Sequence, residues 1–208
     1  MFDKEFKKAL QELPSTEKDK LILRLLKKDL VLANQLLFQL VDTDTVEQKR
    51  VFIENELTRY LNKSADRFYT LGVFLMDMRF ASGKINDHVA ITKDKYGEIS
   101  LNIQLLIESI KHINLYILNT KPKDSYTICI YIIARTFKML LLIKAQHEDL
   151  HLDFKESVEN LGNLIGENDV LMRLAINNGL DVNWLINFEI PENIVAIHKE
   201  IRANGFLK

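Results

Sequence analysis

Apolar side chains recur every three to four positions along most of the chain, which is the period of an amphipathic helix. The pattern predicts helices near residues 2–12, 16–41, 44–62, 65–82, 99–119, 124–151, 154–165, 168–177, 181–187 and 191–203. A break of the second helix at Lys28/Asp29 is an alternative. Because the connections are mostly short, sequential helices should run antiparallel. We expect one all-α domain over residues 1–208, either an irregular multi-helix antiparallel bundle or a superhelical stack of helix pairs.

Residue types that begin and end helices stand at several of these boundaries. Pairs with the spacing of a capping box are Thr16/Asp19, Asp44/Glu47 and Asp153/Glu156. Glycines placed to end a helix in the left-handed conformation are Gly83, Gly166, Gly179 and Gly205. The GxxxG spacing of Gly162 and Gly166 indicates close packing between helices and the end of one of them.

One segment fits two structures. In HVAITKDKYGEISLNI, residues 88–103, apolar residues alternate on both sides of the turn-like DKYG. Alternation of this kind around a turn is typical of a small β-hairpin. The competing interpretation is a loop through Gly97 that leads into the next helix, and the sequence leaves both open.

The segment 124–151 is predicted to be the central helix of the fold. Its polar residues Thr127, Tyr131, Arg135 and Lys138 share one narrow stripe, and nearly all other side chains through residue 143 are apolar. A helix with so thin a polar face must be covered on most sides. Arg135 and Lys138 interrupt the apolar run 126–143, which argues against a membrane span.

Composition supports a helical globular chain. Hydrophobic residues make up 47% and charged residues 27%, and there are only seven Gly and three Pro in 208 residues. Scarce turn residues argue against many short strands joined by tight turns. The net charge is −1, and residues 1–50 carry ten basic and nine acidic side chains, so no basic arm is present and nucleic acid is not an expected partner.

Cys129 is the single cysteine, which rules out a disulfide within one chain and fits a reducing compartment. The opening residues MFDKEFKKALQEL have charges at every second or third position, unlike a secretory signal. From these features we expect a cytoplasmic protein without a membrane anchor.

The most specific chemical pattern is HExxH, formed by His147, Glu148 and His151. On a helix this spacing places two imidazoles on one face, where they could hold zinc while Glu148 acts as a general base. The five residues resemble the motif of the zinc metallopeptidases, which implies a metal-dependent hydrolase. Against this, one middle position is Asp149, and Lys144 would place a cation next to a dication.

The same residues have a second interpretation. The C-terminal turns of a helix favour cations, so Lys144, His147 and His151 could simply stabilise the end of the 124–151 helix. Under this hypothesis none of the three is catalytic or a metal ligand, and Glu148 has no chemical role.

Two further features invite a functional interpretation. Glu156 and Glu159, three residues apart, could hold Mg²⁺ in the manner of all-α nucleotide pyrophosphatases, although such pairs are usually a solvated face. Trp184 lies late in the chain, where its ring could anchor either helix packing or a protein partner.

No complete catalytic set, phosphate-binding glycine loop or nucleophile elbow occurs in the sequence. The leading hypothesis is therefore a non-enzymatic helical scaffold that binds another protein or a second copy of itself and needs no cofactor. The alternative is a hydrolase that uses zinc at His147, Glu148 and His151, or Mg²⁺ at Glu156 and Glu159.

Overall fold

The computed structural model describes residues 2–207 and contains, over that range, helices and connecting loops without strands. The all-α prediction is confirmed, in the form of an irregular bundle. The helices are α1 Lys4–Glu12, α2 Ser15–Leu26, α3 Leu30–Leu40, α4 Val46–Asp66, α5 Leu71–Thr92, α6 Lys95–Asn119, α7 Pro122–Lys144, α8 Lys155–Gly166, α9 Asp169–Asn177, α10 Asn183–Ile186 and α11 Ile194–Ala203.

The core is built around two long neighbouring helices, α6 and α7. Helix α6 packs against α4, α5, α7, α8 and α9, while α7 also contacts α5, α9 and α11. The sequence pattern assigned the central place to the 124–151 segment alone. The structure divides that place between α7 and α6, whose apolar residues are buried on several sides.

Helix α7 is long and apolar, and more than half of its most apolar window is buried. By length and composition it could cross a membrane, and 56% of its most apolar window is buried within the fold. The single thiol, that of Cys129, lies on this helix with no exposed surface, and burial raises its pKa to about 12.

The polar stripe of α7 does not point only to solvent. The Arg135 guanidinium donates hydrogen bonds of 2.5 Å to the buried side chains of Asn102 on α6 and Ser82 on α5. Lys138 pairs with Glu98 of α6 at 2.8 Å. These polar groups therefore tie α7 to its two neighbours, and burial lowers the pKa of Arg135.

The β-hairpin alternative for residues 88–103 is wrong. Helix α5 continues to Thr92, Lys93 adopts the left-handed conformation with φ 59°, and α6 begins at once. The two helices are so closely spaced that the turn occupies only Lys93 and Asp94. The alternating apolar residues are explained by burial on several faces of α6, where Ile99, Leu101 and Ile103 are all inaccessible to solvent.

The predicted helix 65–82 is displaced. Helix α4 runs on to Asp66 and α5 spans 71–92, so Gly83 lies in the middle of α5 and ends nothing. Gly179 and Gly205 do take positive φ values after α9 and α11, as predicted. A glycine can end a helix only where the chain turns, and near Gly83 the apolar pattern of α5 simply continues.

The three predicted capping boxes are also corrected. Helix α4 has a capping box one residue later than expected, formed by Thr45 and Gln48. Helix α2 begins after Pro14, and α8 begins after Phe154, in both cases without a side-chain cap. Pro14 stands at the N-cap position of α2, where it has no side-chain oxygen to offer, and Phe154 is buried in the core.

Candidate functional site

The HExxH segment does not lie on a helix. Helix α7 ends at Lys144, and residues 148–150 and 152–154 form two short 3₁₀ turns. The prediction that one helix extends to residue 151, with two imidazoles on one face, is wrong. His147 instead has an extended backbone and its Nδ1 accepts from the Asp149 amide at 3.4 Å, so its ring caps the first 3₁₀ turn.

The two imidazoles make separate local contacts. His147 is highly exposed and lies 3.2 Å from the carboxylate of Asp149, whereas Nε2 of His151 lies 3.1 Å from the carbonyl oxygen of Gln146. Within residues 2–207, no group of three or more His, Cys, Asp or Glu side chains is arranged to hold a metal ion. The geometry on which the zinc hypothesis depends is therefore missing.

Only one of the three residues in the helix-end interpretation lies in the last turn of α7. Lys144 lies in the last turn of α7 and pairs with Glu192 at 2.6 Å. His147 and His151 follow the end of the helix and are not part of its last turn.

Glu156 and Glu159 both lie on the solvent side of α8. Glu156 is exposed, and Glu159 is 3.7 Å from Lys155 one turn earlier on the same helix. This is the geometry of an ordinary surface ion pair along a helix.

Trp184 is half-buried on the short helix α10. Its ring meets Phe137 of α7 edge-on, with the centroids 6.4 Å apart. The ring of His198 on α11 also lies next to Phe137, with the centroids 5.5 Å apart, and burial, and then the charge of Arg202, lower the pKa of the imidazole. The indole thus contributes to the packing of the C-terminal helices on α7.

A buried polar centre that the sequence analysis missed joins α4, α5 and α6 at Asp94. Its carboxylate accepts from Arg50 Nε at 2.7 Å and Nη2 at 3.1 Å, and lies 3.1 Å from Nε2 of the buried His88. It also accepts from the amide of Gly97, which caps α6. The ring of Tyr96 covers the Arg50 guanidinium at 4.6 Å.

The balance of forces on Asp94 favours its charged form. Burial by itself would raise the pKa of the carboxyl, but the hydrogen bonds from His88, Arg50 and Gly97 and the positive charge of Arg50 outweigh it and hold the pKa far below 3.8. Only glycine fits at position 97, because a Cβ there would come within 2.1 Å of the Asp94 carboxylate. This centre therefore links α4, α5 and α6 and caps the first turn of α6.

A groove of about 650 Å³ lies beside this centre, between α3, α4 and α5. Its walls are mostly apolar and include Phe38 of α3 and Phe52 of α4. At one edge Lys49 pairs with Asp42 at 2.5 Å and lies above the Phe38 ring. The Lys49 hydrogen bond lowers the pKa of Asp42, and the same bond raises that of Lys49.

The most unusual feature is the N-terminal apolar surface, defined as the exposed large apolar side chains of residues 2–41. None of the described residues of α1, α2 or α3 is buried. The members of this surface are Phe2, Phe6, Leu10, Ile22, Leu23, Leu25, Leu30, Val31, Leu32, Leu37, Leu40 and Val41. Leu30 is 71% and Leu40 78% exposed, values typical of side chains that touch almost nothing.

Helix α3 contacts the rest of the fold through half-buried side chains, among them Gln35 and Phe38. Gln35 donates a hydrogen bond of 2.7 Å from Nε2 to the carbonyl oxygen of Ala90 on α5. The side opposite Gln35 carries Leu30, Leu37 and Leu40, and each of these leucines is more than half exposed. The fold thus leaves large apolar side chains of α3 uncovered.

Comparison with protein-family models, with curated proteins and with solved structures finds no match to this chain.

Proposed function

We propose that this chain is a helical protein-interaction domain that acts by binding and not by catalysis, and that its docking surface is the N-terminal apolar surface. The observation that carries the proposal is the contrast between two parts of the chain. Every buried apolar side chain of the described residues belongs to the segment 57–207, whereas α1 to α3 contribute none. Helices with no buried residue gain little stability from the fold they are attached to.

The size of this surface supports docking. The exposed fractions of its side chains together equal roughly seven fully exposed groups, on the order of 1,000 Å² at about 150 Å² for a large apolar side chain. A stable interface buries about 800 Å² on each partner. The surface is therefore large enough for a stable protein interface.

The arrangement of the remaining chain also supports the proposal. The body formed by α4 to α11 has its own core and its own polar centre at Asp94, so α1 to α3 are free to serve as a docking element. The groove beside α3 extends the apolar surface onto α4 through the exposed ring of Phe52.

Site-specific photocrosslinking of the full chain in living cells would test the proposal. A benzoylphenylalanine at position 40 should become covalently joined to a protein, either a different one or another copy of the chain. The matched control places the same group at position 115, where Leu115 of α6 is also highly exposed but lies outside the N-terminal apolar surface. A photoproduct at position 115 with none at position 40 would contradict the proposal.

A further inference from the structure

We infer that the occupant of the N-terminal apolar surface is a second copy of this chain, and that two copies pair through their α3 helices. The inference rests on the proposed function, because it names the partner of the same surface. It concerns one stripe of α3, defined as Leu30, Ala33, Leu37 and Leu40.

The composition of α3 indicates that this helix needs a cover. Its sequence LVLANQLLFQL has no charged residue, and eight of its eleven residues are apolar; the polar ones are Asn34, Gln35 and Gln39. A helix that is mostly apolar is stable in water only when most of its apolar side chains are covered. Contact with α5 covers the side of Gln35, whereas the three leucines of the stripe stay 55% to 78% exposed.

The residues of the stripe are spaced as in a coiled coil. Its members follow one another at intervals of three, four and three residues, which is the repeat by which two helices interlock in a coiled coil. A second α3 presents the same spacing. Two copies related by a two-fold axis would cover both stripes at once, and a closed two-fold pair is the commonest form of soluble oligomer.

The charges of the first three helices are compatible with pairing of two copies. Residues 2–41 carry eight basic and six acidic side chains, so two copies would bring together nearly neutral, mixed surfaces without strong repulsion. A strongly acidic or strongly basic partner would find no complementary field here. The absence of charge within the stripe further favours an identical apolar surface as its partner.

The available area bears on which residues must take part. The whole N-terminal apolar surface offers on the order of 1,000 Å² per copy, of which Leu30, Leu37 and Leu40 supply about 300 Å², so side chains of α1 and α2 must join the stripe to reach the roughly 800 Å² per partner of a standard interface. A lipid surface is the competing occupant. Helix α3 has only 11 residues, about 16 Å of helix, so it could lie on a bilayer but not cross a hydrocarbon core of about 30 Å, and the vesicle measurement below tests that alternative.

Sedimentation equilibrium of the purified full chain over about 1 to 200 µM should give the mass of a dimer at the upper concentrations. The double variant Leu30→Glu/Leu40→Glu should weaken the dimer at least about 100-fold, because four buried leucines per dimer become charged. Leu115→Glu is the control, since it adds one glutamate at a comparably exposed leucine outside the N-terminal apolar surface, and it should leave the dissociation constant within about threefold.

Hydrogen exchange of the unaltered chain provides a measurement that needs no variant. The amides of α3 should exchange more slowly as protein concentration rises, while those of the exposed face of α11 should not change. A chain that sediments as a monomer throughout would overturn the inference. So would a dimer that Leu115→Glu weakens and the double variant does not.

The outcomes separate this inference from the proposed function. A monomer whose position 40 crosslinks to a different protein would refute pairing and leave the docking surface in place. A monomer that forms no protein crosslink and sediments with vesicles of phosphatidylcholine and phosphatidylglycerol would refute both, since the surface would then bind lipid.

Discussion

Replacing Asp94 by alanine should be among the most damaging single substitutions in this fold. The carboxylate is only 3% exposed and accepts hydrogen bonds from Arg50, from His88 and from the first turn of α6. Alanine removes all of these acceptors at once. The Arg50 guanidinium, 18% exposed, would lose its only ionic partner among the described residues, and α6 would lose its N-cap.

The magnitude follows from two contributions. Removing one member of a buried ion pair costs about 3 to 5 kcal/mol, because the remaining charge stays desolvated. Loss of a helix N-cap costs about 1 kcal/mol. Because both effects involve the same carboxylate and are not strictly additive, we expect the free energy of unfolding to fall by about 4 kcal/mol. For a chain of this size that corresponds to a drop in melting temperature of about 8 to 16 °C.

Urea denaturation followed by circular dichroism at 222 nm would measure this change. Thr70→Ala is the matched control, because Thr70 caps α5 through one exposed hydrogen bond to Val73 and has no ionic partner; we expect a loss of about 1 kcal/mol. Asp94→Asn should fall between the two, since an amide oxygen can still cap α6. An Asp94→Ala loss no larger than that of Thr70→Ala would refute the assignment of Asp94 as the centre that holds three helices.

Three other results are expected. The folded pKa of Asp94 lies below 3.8, so the contribution of this carboxylate to the free energy of unfolding is complete above that pH and is lost as the pH falls toward the folded value. The difference in free energy of unfolding in urea between the wild type and Asp94→Asn should therefore shrink from about pH 5 to about pH 2. Gly162→Ala should destabilise the fold by about 1 to 3 kcal/mol in thermal melts, because the added Cβ would come within 2.7 Å of Leu185. Gly83→Ala, in the middle of α5 with free space around it, should instead stabilise the fold by about 0.5 to 1 kcal/mol. Elemental analysis of chain purified without a metal-affinity tag should find less than about 0.1 zinc per chain, and His151→Ala should leave the zinc content unchanged, because the two imidazoles do not converge.

Each of these has a clear contrary result. A stability difference that grows on acidification would reverse the sign assigned to the Asp94 carboxyl. Equal melting temperatures for the two glycine variants would show that α8 and α10 are not in close contact. About one zinc per chain, lost with His151→Ala, would show that the HExxH segment rearranges around a metal.

The helical class was readable because its signals are local and repeated: apolar spacing, scarce Gly and Pro, and capping residues. The residues at which the helices begin and end were harder to predict. Gly83 has a residue type that ends helices but no turn to occupy, while Lys93, an unremarkable residue in the sequence, takes the left-handed position that ends α5. Which residue adopts that conformation is decided by how closely α5 and α6 pack, and sequence spacing contains no measure of that.

The candidate site shows the same limit more sharply. The HExxH pattern has meaning only on a continuous helix, and the helix ends at Lys144 without a Gly or Pro to mark the place. The polar centre at Asp94 joins Arg50, 44 residues away, with His88, six residues away. A cap at Asp94 could have been inferred from its position before Gly97, but the long-range partners could not.

The N-terminal apolar surface illustrates a third kind of limit. The amphipathic pattern over residues 2–41 predicts helices there, but the single helix 16–41 is wrong and the alternative break at Lys28/Asp29 is confirmed, since α2 ends at Leu26 and α3 begins at Leu30. The pattern also implies that the apolar sides of these helices are covered. It does not specify whether the cover comes from the same chain. Only the arrangement of α3, with Gln35 toward α5 and Leu40 away from it, shows that the body of the fold does not provide it.

The buried position of Cys129 makes the rate of its alkylation a measure of how often the core opens. A thiol without exposed surface, whose pKa burial raises to about 12, is protected from alkylating reagents for as long as α7 stays packed. Because Cys129 is the single cysteine of the chain, alkylation of the protein reports on the opening of the core around α7 and on no other site. Fraying of the first 41 residues would leave that rate untouched.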